Sequence, residues 1–465
     1  MLAFNRLEID SPQKLIFGIA PKPVTTRRGL TIGGGCVFPE LNLTVPPMQI
    51  DDSSFGRVLD MYRDAVREAC ARALDLGCEG FVVELETLLE MTLNPRYAIQ
   101  LTEVINEVLD GFHARHGLKT ALRITPNDTR EMKRPPRMQS GALLERMLET
   151  FDGCARAGGE LLSIESTGGK EIHDGALLAC DITGVVFALG VLGCRDMEFI
   201  WSRIADIALE HKTVAAGDTA CGFGNTAMVL AEKKMIPRVF AAVVRAVSAV
   251  RSLVAYEKGA VGPGKDCGYE NIYLKAITGF PMSMEGKVAA CAHLSPVGNV
   301  AAAACDLWSN ESVQNIKLLG GMAPTVCLEQ LIYDCRLMNA ARARGEDLTL
   351  RDLFVASDAK LDPQAYILTP ESALRIASAI ISQPSHYRAS KAAALEAVAI
   401  LSEGRASGET HVSEMESPYL DMMASAIEAL PHKEGEFIDQ MLAAADTKNF
   451  APGEYDLAPA QSLAA

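Results

Sequence analysis

From about residue 50 to about residue 345, short apolar runs of strand length alternate with segments whose apolar residues recur at helical spacing. Residues 55–76 set the pattern. Val58, Leu59, Tyr62, Ala65, Val66, Ala69, Cys70 and Ala73 line one helical face, Gly77 ends it, and Phe81, Val82 and Val83 open a β-branched and aromatic run. The alternation predicts strands at 80–86, 120–125, 161–165, 185–191, 213–216, 252–256 and 288–293, with an eighth near 316–319. Helices are expected near 97–115, 141–157, 196–211, 225–250, 295–307 and 326–343. Strand and helix in alternation dictate a parallel sheet, either open and doubly wound or closed into an eightfold ring.

Three residues with metal-ligating chemistry each follow one of the apolar runs: Glu165 in LLSIESTGGKE, Cys221 in TVAAGDTACGFGN and Cys267 in GAVGPGKDCGYEN. An open sheet binds at a switch point between two strands, whereas side chains drawn from several strand ends suit a closed ring. The expected fold is therefore α/β, a TIM-type (β/α)8 barrel over residues 51–345. An N-terminal extension, 1–50, is rich in Gly and Pro, and an Ala-rich helical extension occupies 346–465. At one rim, two thiolates and a carboxylate could hold zinc and leave a fourth position open. The plainer reading of the same residues is two buried thiols and a paired carboxylate, and spacing alone leaves both standing.

Composition narrows the partners. A net charge of −15 argues against nucleic acid, whose recognition rests on clustered Lys and Arg, and against an anionic membrane. The first residues lack the basic-then-apolar order of a signal peptide, and the most apolar stretch, 239–255, is interrupted by Arg245 and Arg251, so a cytoplasmic protein is expected. The twelve cysteines have no regular spacing and read as buried thiols plus a few ligands. GDTACGFGN lacks the spacing of a dinucleotide fingerprint, and no Walker, G-x-S-x-G or H-E-x-x-H sequence occurs. Asp218, Asn225, Asp266, Tyr269, Glu171 and His173 lie near the three candidates and could support them, although each singly reads more simply as a cap or surface pair. Lys275 reads as solvated or ion-paired.

The three segments resemble the zinc-binding motifs of the methanol:corrinoid methyltransferases, and CDLWSNESVQNIKLLGGMAPT and CRDMEFIW are similar to the same family from about residue 15 to the C-terminus. The resemblance implies an α/β barrel, one zinc on Glu165, Cys221 and Cys267 as catalytic and metal-binding residues, and transfer of the methanol methyl group to cobalt(I) of a corrinoid. That corrinoid would be carried by a tightly associated partner subunit, in a hetero-oligomer around a homodimeric core. A carboxylate in the shell is harder than sulfur and favours bound oxygen, which separates this expectation from a thiol:corrinoid methyltransferase. A non-catalytic barrel with structural zinc would need a fourth protein ligand, and none sits convincingly near these segments.

Overall fold

The computed structural model describes residues 2–457 except Pro47, Asn315 and Thr447. Seven parallel strands curl into one sheet: β1 (Phe38–Thr44), β2 (Gly80–Glu86), β3 (Lys119–Thr125), β4 (Leu161–Ile164), β5 (Val214–Asp218), β6 (Ser283–Glu285) and β7 (Leu307–Val313). Their order around the sheet is β5-β4-β3-β2-β1-β7-β6. Backbone bonds across residues 261–264 bring the two edges together. Val261 and Gly262 donate to Ala215 and Ala216 of β5 at 2.8 and 2.9 Å, while Gly264 donates to Pro281 at 3.1 Å and accepts from Ser283 of β6 at 3.2 Å. Counting that segment, the ring has eight staves, the number at which side chains just fill the interior.

Four of the expected strands lie elsewhere. Residues 185–191 belong to the helix Ile182–Phe187 and the π-helical turn Ala188–Gly193, 252–256 to the helix Arg238–Glu257, and 288–293 chiefly to the helix Lys287–Ala292. Residues 316–319 enter a small hairpin, Lys317–Leu318 paired with Gly321–Met322, outside the ring. The runs 185–191 and 252–256 are buried, where periodicity does not separate strand from helix, whereas Val288, Ile316, Leu318 and Leu319 are exposed and their short apolar runs have no place in the ring's sheet. The expected helix 225–250 is two, Thr226–Glu232 and Arg238–Glu257, and 295–307 holds only the short turn Val300–Ala303. The ring's first strand, β1, falls inside the segment 1–50 read as an extension, because Pro39 and neighbouring glycines masked its alternation.

Alternation along the staves sorts the side chains. Leu41, Leu43, Phe81, Val83, Leu85, Leu122, Ile124, Leu162, Ile164, Met284 and Trp308 pack outward against the helices. The inward set changes character from floor to mouth. Val82, Ala121, Leu161, Ala216 and Leu307 form an apolar floor with Leu30 and Ile32, at the end of the turn and in the second strand of the N-terminal hairpin Ile19–Thr25/Thr31–Gly34. Above it comes a charged layer in which Arg123 bonds Glu40 at 2.6 Å and Ser163 at 2.7 Å, all fully buried. Further up lie Asn42, Glu86, Thr125, Glu285 and Glu311, with Glu165 continuing the line of β4.

Among the described residues one helix, Arg238–Glu257, is long and apolar enough to cross a membrane, and it is buried throughout. The helix His386–Ser407 covers it, and Pro370–Ile381 packs on both His386–Ser407 and Asn271–Thr278.

Candidate metal centre

The structure brings Glu165, Cys221 and Cys267 together, with their ligand atoms all within 4.8 Å of one another. They come from consecutive stations of the ring: Glu165 directly after β4, Cys221 just past β5, and Cys267 just past 261–264. Cys221 opens a five-residue π-helical turn, Cys221–Asn225, a rare conformation frequent at functional sites.

The helix Arg238–Glu257 fixes all three loops from behind. Arg251 donates to the backbone oxygens of Ser166 (3.0 Å) and Thr219 (3.1 Å), tying the residue after Glu165 to the approach to Cys221. Asp218 accepts from the Ser166 hydroxyl at 2.6 Å and from the Trp201 indole at 2.7 Å. Arg245 bonds Asn225 at 2.6 Å and Glu270 at 3.2 Å. Asn225 in turn donates to the Cys267 carbonyl at 2.8 Å and to Cys221 Sγ at 3.6 Å, while Glu270 accepts from the Ala220 amide at 2.6 Å. At Gly224 a Cβ would lie 2.5 Å from Arg245 Nη1, so only glycine lets the guanidinium reach these loops. From the far end of the chain, Tyr455 donates to Glu171 at 2.7 Å and accepts from the Gly169 amide at 2.9 Å, bracing the loop that follows Glu165.

Lys265, which sequence reasoning passed over, is fully buried and faces four carboxylates: Asp266 at 2.5 Å, Glu84 at 3.1 Å, Glu165 at 3.4 Å and Glu86 at 3.8 Å. Asp266 also accepts from Ser309 at 2.5 Å. Tyr269 donates to Glu285 at 2.8 Å, and Glu285 meets His293 Nδ1 at 3.0 Å. Glu285 and Glu311 on the last two staves form a second cluster at the mouth with His293, which caps the helix Lys287–Ala292. Only the PGKDC context hinted at Lys265. Nothing local marks Glu86, Glu285, His293 or Glu311, which meet through ring closure. Of the remaining candidates, Lys275 is a structural cation, buried against Ile16 and Ala304 carbonyls and Asp306. His173 is fully buried edge-on to Phe223 without a hydrogen-bond partner.

The donor set fits a thiophilic divalent cation. Cys267 Sγ stands 2.7 Å from Glu165 Oε1, a spacing two anions hold only with a proton or cation between them. The bond with Cys267 draws the Cys221 thiol down, but burial and the charges of Glu165 and Glu285 outweigh it and carry the group up to about 11. Burial and the neighbouring Cys221 and Glu165 push Cys267 well above the ordinary thiol range. Without a cation the pair keeps its protons; a bound divalent ion reverses that order.

Whole-chain comparisons give the chain its family. The family model for the methanol-cobalamin methyltransferase B subunit matches residues 1–456. The chain belongs to that family. It is 40% identical over 458 residues to the methanol–corrinoid protein co-methyltransferase of Methanosarcina barkeri, covering 97% of this chain and 98% of the relative. The crystal structure of the methanol:cobalamin methyltransferase complex from Methanosarcina barkeri matches with a TM-score of 0.94 at 38% identity, over 98% of this chain and 100% of the solved one.

Proposed function

We propose that this family member transfers the methyl group of methanol to the cobalt(I) of a corrinoid carried by a partner protein, with Glu165, Cys221 and Cys267 as zinc ligands. The observation that carries the reading is the convergence of one carboxylate and two thiols from three consecutive stations, in a chain 40% identical to a methanol–corrinoid protein co-methyltransferase. Zinc held by three protein ligands would supply Lewis acidity toward an alcohol oxygen at its open position. The protein's part is orientation and exclusion. Arg251 and Arg245 lock the ligand loops, Lys265 offsets the carboxylates beneath them, and the apolar floor blocks solvent from below. The mouth lies at the strand C-termini, so a corrinoid too large for the interior must arrive on a docked partner. All twelve cysteines are free thiols, in keeping with a reducing, cytoplasmic setting.

Zinc content and methyl transfer from methanol, followed by the loss of cobalt(I) absorbance, test the reading. One zinc per chain is expected, with transfer faster to a protein-bound corrinoid than to free cob(I)alamin at equal concentration, because docking aligns cobalt with the methyl carbon. Equal rates would overturn the docking; metal-free protein with full activity would overturn the zinc assignment.

A further inference from the structure

We propose that His293 supplies the proton that turns the departing hydroxide of methanol into water, held for that task by Glu285. The inference rests on the function proposed above. In the transfer the methanol C–O bond breaks and its electron pair leaves on oxygen, while cobalt(I) gives two electrons to the methyl carbon and becomes methylcobalt(III). The oxygen needs one proton to depart as water. His293 Nε2 gives it, and solvent at the mouth restores it, so methanol, cobalt(I) and a proton become methylcobalt(III) and water.

Three observations place His293 in this role. First, it caps the helix Lys287–Ala292 and is held by Glu285, which ends the stave next to the third ligand loop. Tyr269, two residues past Cys267, donates to one oxygen of Glu285, and the other oxygen meets His293 Nδ1 at 3.0 Å, which leaves Nε2 free. Second, its surroundings are anionic from every side: Glu285 on β6, Glu311 on β7 and Asp266 on the loop before Cys267, while Lys287 of its own helix turns away to Asp334 at 3.2 Å. The Glu285 bond, with those charges, raises the imidazole to about 9 against a burial cost in the other direction. Third, its side chain is 35% accessible, enough for proton exchange, whereas Glu285 beneath is closed to solvent at 1%. His173, the other histidine near the ligand loops, is driven toward its neutral form by burial.

The test compares wild type, H293Q, E285Q and E311Q, each zinc-loaded and assayed with corrinoid across pH 5.5–9.5, with H293A added for rescue. A positioned acid contributes on the order of 100-fold or more, so H293Q should lose about that factor in kcat while keeping one zinc and its circular dichroism. Wild-type activity should fall on the alkaline side as His293 loses its proton, and H293Q should lack that limb. Added imidazole should restore part of the H293A rate. Imidazole NMR should show His293 charged at neutral pH in wild type, titrating at lower pH in E285Q. An unchanged rate and pH profile in H293Q would overturn the proposal. So would loss confined to E311Q, or a second equivalent of zinc that disappears in H293Q. Wild-type protein inert toward methanol would bring down the proposed function, and this inference with it.

Discussion

Two levels of the same barrel hold charge in opposite ways. In the middle layer each ion has its partner: Arg123 is bonded to Glu40, and both are sealed from solvent. At the mouth, among the described residues, Glu86, Glu165, Glu285, Glu311 and two thiols have Lys265 and His293 as their nearby cationic partners. The middle layer is complete as folded, and removing either partner strands the other. The mouth is incomplete by charge and favours protons or cations. Structural and functional polarity thus separate by height along the staves, although the residue types are the same.

The sharpest way to break that contrast is to empty the mouth of its ligands. Cys221→Ala or Cys267→Ala should take zinc from about one equivalent to nearly none and abolish methyl transfer, yet leave the fold intact, since neither thiol is a partner in the middle layer. Elemental analysis beside circular dichroism checks both halves, and full zinc in either variant would remove that cysteine from the site. Next in size is Arg123→Met, which leaves Glu40 buried alone and should cost about 3–5 kcal/mol in denaturant unfolding with zinc absent from both proteins. A loss below about 1 kcal/mol would mean that the middle layer is no more structural than the mouth.

The smallest effect has the opposite sign. Burial, with Glu86 and Asp266 close by, pushes Glu311 up to about 7, so the folded protein prefers it protonated. That contribution is complete below the ordinary carboxyl range and is lost as pH rises through 7. Glu311→Gln should therefore raise Tm slightly at pH 8 in zinc-free protein and leave it unchanged near pH 4. Glu40→Gln should lower Tm at pH 8. Shifts of the same sign would erase the distinction between the two levels.

The sequence carried the repeating strand and helix, four barrel strands and the three ligand candidates, because each is a local signal: a β-branched run, a helical face, a reactive side chain after an apolar segment. What it concealed were long-range facts. The sixth stave, 261–264, contains Gly262 and Pro263 and looks like a turn; it works as a stave only because β5 and β6 flank it. Residues 185–191 and 252–256 have strand composition but fold as helix inside a crowded core. Arg245 and Arg251 showed from sequence only that the segment was no membrane span, while in the fold they clamp the ligand loops. Glu285, His293 and Glu311 become neighbours only when the ring closes, a relation without a sequence period.

The hairpin bearing Leu30 and Ile32 gives the enzyme's traffic a direction. Among the described residues the floor is apolar and packed, so polar traffic is directed to the mouth. A partner seated over that opening to receive a methyl group also stands in that doorway, so methanol is expected to enter before the partner settles and water to leave when it lifts. The order of events in each turnover would then follow from a plug at the opposite end of the barrel from the chemistry.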